Sequence, residues 1–178
     1  MPQPTILLLC GSLSQMSANR AALNVAAEFL HRSVLARATN FENLIDVPPL
    51  EPDPDGAAPW AVLILRGLIH EAQGVLIAAP EYGGAIAGTM KNALDWIVGS
   101  GEFYAKPVAL ISAGTTGGVH ARHMMAQTLH WQGARVVADL GISTPKVKSD
   151  KSGRIVDLST IAEIERVVRV LVAESISA

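Results

Sequence analysis

The stretch Ile6-Leu7-Leu8-Leu9-Cys10-Gly11-Ser12-Leu13-Ser14-Gln15-Met16-Ser17-Ala18-Asn19-Arg20 passes from an apolar run of strand length into a small polar loop and then into a helical pattern. Gly11 permits a sharp exit from the strand, and Ser17 is a good N-cap for an amphipathic helix beginning near Ala18. An anion in such a loop sits at the positive end of the helix. The hydroxyls of Ser12, Ser14 and Ser17, the Asn19 amide and free backbone N–H groups converge there, which suits a terminal phosphate enclosed on several sides. The loop lacks the three glycines of a dinucleotide-binding turn and the Gly-Lys-Ser/Thr of a Walker loop. A mononucleotide's phosphomonoester fits it better, and a well-capped turn without a ligand is the alternative that the loop alone leaves open.

The chain of 178 residues is of single-domain size, so one domain over residues 1–178 is expected. Charged residues make up 17%, below the usual quarter, while apolar residues make up 49%; so sparse a charge points to a homo-oligomer. A net charge of −2 gives neither the basic footprint of a nucleic-acid binder nor a polybasic membrane patch. It is also far from the strong acidity of a small electron carrier. Cys10 is the only cysteine, which rules out an internal disulfide and is compatible with a reducing compartment. No basic leader precedes an apolar segment, and no apolar run approaches the roughly 20 residues of a membrane span, so a soluble cytoplasmic protein is expected.

Working outward, apolar runs alternate with helical patterns. The periodicity predicts helices over Ala18–Arg32, Pro59–Glu71, Thr89–Val98, Gly118–Trp131 and Ser159–Ala173. Strands are predicted over Ile6–Leu9, Ala36–Phe41, Gly74–Ala79, Pro107–Ser112 and Val136–Ala138. Val62, Leu63, Leu65 and Ile69 form the expected buried stripe of the second helix. Val47–Pro59 reads as a proline-rich loop in which Asp53 and Asp55 face water. Five strands separated by helices make a βαβ series: an α/β fold with a parallel five-stranded sheet between two helical layers. Ligands bind such sheets at the carboxyl ends of the strands, where strand order reverses.

Two further loops should reach that edge. Pro80-Glu81-Tyr82-Gly83-Gly84-Ala85-Ile86-Ala87-Gly88 is dense in small residues and can offer backbone donors and acceptors to a flat ring, with Tyr82 adding an apolar face. A flexible turn is the competing reading of its glycines. Ser112-Ala113-Gly114-Thr115-Thr116-Gly117-Gly118 leads into a helix whose N-terminus can stabilise developing negative charge. Three such loops together imply a planar mononucleotide cofactor.

Gly11-Ser12-Leu13 with Ser17-Ala18-Asn19, Pro80-Glu81-Tyr82, Gly88-Thr89-Met90-Lys91-Asn92-Ala93-Leu94-Asp95-Trp96, and Lys106-Pro107-Val108 with Gly117-Gly118 resemble the NAD(P)H-dependent FMN reductase family. The likeness runs in order from Thr5 to about Val137, and the Gly88–Trp96 block is its most specific part. The resemblance implies a flavodoxin-like three-layer sandwich with strand order 2-1-3-4-5 and an enzyme with non-covalent FMN. NADPH or NADH would be the electron donor, and a small molecule such as a quinone, azo compound, metal oxyanion or free flavin the acceptor. Gly11, Ser12, Ser14, Ser17 and Asn19 would hold the phosphate. Pro80, Glu81, Tyr82 and Gly83 would border the ring, and Ser112, Gly114, Gly117 and Gly118 would close its other side. The Lys91–Trp96 helix would lie near a subunit contact, in a homodimer or homotetramer. Because the flavin carries the chemistry, no catalytic side chain is required, and donor and acceptor would use one face in turn.

Three residues depart from the family pattern: Ser14 where arginine is usual, Gly83 where asparagine is usual, and Ala87 in place of a frequent proline. The first removes a charge-assisted bond to phosphate unless Arg20 replaces it. A non-enzymatic flavin-binding electron-transfer module is the other reading, which the modest acidity disfavours. Cys10 and Ser12 lack the elbow and base of a nucleophile. His120, His123 and His130 lack partners at ligand spacing, so no metal site is expected. Trp60, Trp96 and Trp131 read as core or subunit contacts, and Lys91 and Asp95 as a surface pair.

Overall fold

A computed structural model describes residues 3–42, 44–51 and 58–177; Asp53 and Asp55 lie outside the described residues. Among the described residues, seven strands and five α-helices follow in the order β1 (Thr5–Cys10), α1 (Ala18–Ser33), β2 (Arg37–Phe41), α2 (Trp60–Glu71), β3 (Gly74–Ala78), β4 (Glu81–Tyr82), β5 (Ala85–Ile86), α3 (Gly88–Asp95), β6 (Pro107–Gly114), α4 (Val119–Trp131), β7 (Arg135–Ser143) and α5 (Leu158–Ile176). The main sheet is parallel throughout in the order β2-β1-β3-β6-β7. Counting only its own strands, this is the expected 2-1-3-4-5.

Alternation along each strand assigns the two faces. Leu7 and Leu9 of β1 and Val75 and Ile77 of β3 pack with Leu65 and Ile69 of α2, Met90 and Leu94 of α3, and Met125 and Leu129 of α4. Ile6, Leu8 and Leu76 point the other way, onto Leu23 and Leu30 of α1 and Ile164, Val168 and Leu171 of α5. Burial on both faces is why β1 and β3 read as unbroken apolar runs.

The structure corrects the sequence reading at four places. The last strand covers nine residues, not three. It is an edge strand, only partly buried, and Asp139 and Gly141 interrupt its apolar signal. α3 stops at Asp95 because its end tightens into three-residue bonds, Ile97 N to the Leu94 carbonyl and Val98 N to that of Asp95, both at 3.1 Å. Leu63 is 51% exposed, since the buried stripe of α2 runs through Ala61, Val62, Leu65 and Ile69. The Pro80 segment is an antiparallel hairpin, β4 with β5, in which Gly83 and Gly84 (φ 59° and 74°) supply the two left-handed turn positions.

Candidate functional site

The loops after β1, β3 and β6 meet at one sheet edge. Cys10 lies beside Ala78 and Ala78 beside Ile111, so β1 and β3 end level and β6 runs past them to Gly114 on the same edge. Strand order reverses between β1 and β3, placing the first loop at the switch point.

Gly11 is held against β3: its N–H donates to the Ala78 carbonyl (2.8 Å), and a Cβ there would come within 2.6 Å of that of Ala79. Thr89 Oγ1 donates to the Gly11 carbonyl (3.2 Å) from the first turn of α3. Ser12 is buried and its Oγ accepts from Ser14 N (3.4 Å). Ser17 caps α1, its Oγ accepting from Asn19 N (3.2 Å). The N–H groups of Ser12, Leu13, Gln15 and Met16 have no partner among the described residues. Four orphan donors and three hydroxyls at a positive helix end are the donor set that a phosphate requires.

Asn19 occupies a different place from the one its sequence position implies. It is 2% exposed; its Nδ2 donates to the Ala113 carbonyl (3.0 Å) and its Oδ1 accepts from Ala113 N (2.8 Å). The amide therefore ties the first loop to the end of β6 instead of turning into the loop. Arg20, the residue set to replace the missing arginine, reaches Glu42 at 3.2 Å, and its buried Nε has no partner.

In the second loop Pro80 is buried, while Tyr82 (64% exposed) and Gly83 are open to solvent. Glu81 Oε2 accepts from His120 N (2.8 Å) and Ala121 N (3.1 Å). Gly118, the N-cap of α4, has no side chain to do this, so Glu81 caps the helix from the hairpin. Two of the donors that the sequence reading offered to developing charge are thus already engaged.

The third loop is braced from below. Ser112 is fully buried and donates to the Ala79 carbonyl (2.7 Å). Arg122, which the sequence reading missed, donates Nε to the Gly117 carbonyl (3.0 Å) and pairs with Asp139 of β7. Its partners come from a loop and a strand on either side of it, so only the folded chain reveals the latch. Gly114 is half-buried, Gly117 and Gly118 are buried, and Thr115 and Thr116 are exposed.

Burial pushes the Cys10 thiol above its ordinary value, opposed by its hydrogen bond to the Ser12 carbonyl, so the thiol is not primed as a nucleophile. His120, His123 and His130 are exposed, and the described residues contain no group of three or more His, Cys, Asp or Glu placed to share a metal. Asn92 and Trp96 of the Gly88–Trp96 block both donate to the Pro48 carbonyl (2.8 Å each), pinning the proline-rich connection. Lys91 meets Asp95 at 2.6 Å.

A mononucleotide-binding α/β protein of flavodoxin-like strand order is the class that this fold and site define. The chain belongs to the family described as NADPH-dependent FMN reductase, whose sequence profile matches residues 4–148. A probable NADPH:quinone oxidoreductase 1 of Oryza sativa subsp. japonica is 30% identical across 94% of this chain and 89% of its own. The NAD(P)H-dependent FMN reductase PA1204 of Pseudomonas aeruginosa is 31% identical across 85% and 84%. Among solved structures, the flavoenzyme NAD(P)H:(acceptor) oxidoreductase FerB of Paracoccus denitrificans has the same fold, with a TM-score of 0.80 at 24% identity over 98% of each chain. The chain is accordingly an oxidoreductase with FMN as cofactor and NAD(P)H as donor, which decides against the non-enzymatic reading.

Proposed function

We propose that this enzyme passes electrons from NADPH or NADH to a small-molecule acceptor, a quinone in the first place, with azo compounds, metal oxyanions and free flavin as further candidates. Bound FMN supplies the two-electron chemistry. The chain supplies its seat. The free N–H groups of Ser12, Leu13, Gln15 and Met16 and the hydroxyls of Ser12, Ser14 and Ser17 hold the phosphate above the Gly11 turn, and Asn19 keeps that loop in place through β6. The Pro80, Glu81, Tyr82 and Gly83 hairpin borders the ring on one side. Gly114, Gly117 and Gly118 border it on the other, over the buried Ser112 strut.

The observation that carries this reading is the set of four unpartnered N–H groups in the β1–α1 loop at the switch point of the sheet. The quinone comes first because the rice relative's name specifies one. The protein is read as one soluble, cytoplasmic domain over residues 1–178 acting as a homodimer or homotetramer. No helix of the described residues is long and apolar enough to cross a membrane.

The experiment is titration of the purified protein with FMN, followed by steady-state oxidation of each nicotinamide nucleotide with a quinone. Saturable flavin uptake and quinone-dependent oxidation are expected. A protein that takes up FMN yet turns over no quinone requires another acceptor.

A further inference from the structure

Ser14 stands where the family usually has arginine, and Arg20, the nearest cation in sequence, is engaged by Glu42 at 3.2 Å. Between Gly11 and Ser17 there is no lysine or arginine at all. The β1–α1 loop thus offers a phosphate N–H groups and hydroxyls but no side-chain charge of its own.

A cation stands beside this loop from a distant part of the chain. After β7 the chain makes a tight turn closed by an antiparallel bridge between Ser149 and Ile155. Asp150 organises the turn. Its N–H donates to the Arg154 carbonyl (2.9 Å), and its own carbonyl accepts from Gly153 N (3.0 Å). Its Oδ1 accepts from Ser152 N (2.8 Å), Ser152 Oγ (2.6 Å) and Arg154 N (3.1 Å). Ile155 anchors the turn, being buried in the cluster that holds Leu23 of α1 and Ile164 of α5.

The turn is seated against the first loop. Gly153 has a φ of 83°, and a Cβ on it would fall 3.2 Å from the Met16 methyl. Between turn and α1 runs a groove of about 390 Å³ whose walls include Gln15, Met16 and Ser17, the residues that lead from the loop into the helix. Arg154 is the one cation lining this groove and Glu28 the one carboxylate. The Arg154 side chain is exposed and makes no hydrogen bond among the described residues, and no described carboxylate lies within 4 Å of it. Its backbone is fixed while its guanidinium is uncommitted.

We infer that Arg154 supplies the charge that Ser14 leaves out, its guanidinium donating to the phosphate oxygens of bound FMN from the side of the loop formed by Gln15, Met16 and Ser17. The inference rests on the flavin seat proposed above and adds to it a residue from outside the β1–α1 loop. A guanidinium suits the task, since its planar fork can meet two phosphate oxygens at once. An exposed side chain gives up rotamer freedom when it pairs and is screened by salt, so a contribution of about tenfold in affinity is expected.

The probes are FMN and riboflavin, which differ only in the phosphate, titrated by flavin fluorescence into the full chain stripped of flavin. Arg154→Gln and Arg154→Lys are compared with the wild type. Arg154→Gln is expected to raise the FMN dissociation constant about tenfold and to leave that of riboflavin unchanged, while Arg154→Lys recovers part of the loss. Added salt should weaken FMN binding more in the wild type than in Arg154→Gln. Ser14→Arg placed in the Arg154→Gln background should restore FMN affinity, one cation standing in for the other. An FMN constant unmoved by Arg154→Gln overturns the assignment. So does an equal rise for FMN and riboflavin, which would mark a disturbed fold instead of a lost phosphate contact. A wild type that takes up neither flavin fells the seat and this residue's role together, whereas a preference for FMN over riboflavin that is independent of Arg154 fells the residue alone.

Discussion

Both polar atoms of the Asn19 side chain meet the backbone of Ala113, and neither end of that pair has solvent to fall back on. Asn19→Ala leaves a buried N–H and a buried carbonyl unsatisfied, at about 1–3 kcal/mol each. The expected outcome is a fall in Tm of roughly 5–10 °C by thermal denaturation, with flavin affinity reduced as a secondary effect of a loosened loop. Ser14 carries the opposite prediction. It is exposed in the β1–α1 loop. Ser14→Arg adds a charge-assisted bond to the phosphate and should lower the FMN dissociation constant about tenfold in a fluorescence titration. The sequence showed the residue types of this loop but not their division of labour. An asparagine two residues after an N-cap serine looks the same whether it faces a ligand or a neighbouring strand, because its partner Ala113 is 94 residues away.

Among the elements, the sheet was readable where burial on both faces erased every polar residue, as in β1 and β3, and unreadable where it did not. β7 alternates toward solvent and pairs on one side only, and the β4–β5 hairpin is too short for any periodicity to register. Its Gly83-Gly84 pair was the available signal, and its consequence is larger than its size because it sets Glu81 over the first turn of α4. The ends of α5 give a pH prediction. Hydrogen bonds from the Ser159 and Thr160 hydroxyls, and from the Thr160 N–H, hold Asp157 down to about 2. A carboxyl depressed in the fold stabilises it above its ordinary value of 3.8, and that contribution disappears as pH falls through about 2. Asp157→Asn keeps a capping oxygen without titrating. The Tm difference between wild type and variant should therefore narrow between about pH 4 and pH 2; a constant difference would deny the carboxylate its part.

At the scale of the whole molecule, α2 is apolar on more than the side it buries. Trp60, Leu63 and Ile64 stay exposed in the chain alone, and a cluster of exposed large apolar side chains is normally covered. Sedimentation velocity should give the mass of a dimer or tetramer, with Trp60→Glu shifting it toward the monomer; a monomeric wild type would remove the oligomer from the proposal. Sparse charge is what suggests an assembly in the composition, but composition names no surface: Leu63 reads as core until its place on the helix is known. The tie between Asn19 and Ala113 has a further consequence for anyone rebuilding this scaffold. The first loop is not a portable cassette: grafted onto another βαβ unit, it would arrive without the strand end that holds its asparagine. A circular permutant opened in the turn after α3, by contrast, would cut the chain between the two partners without touching either, and should keep its flavin seat.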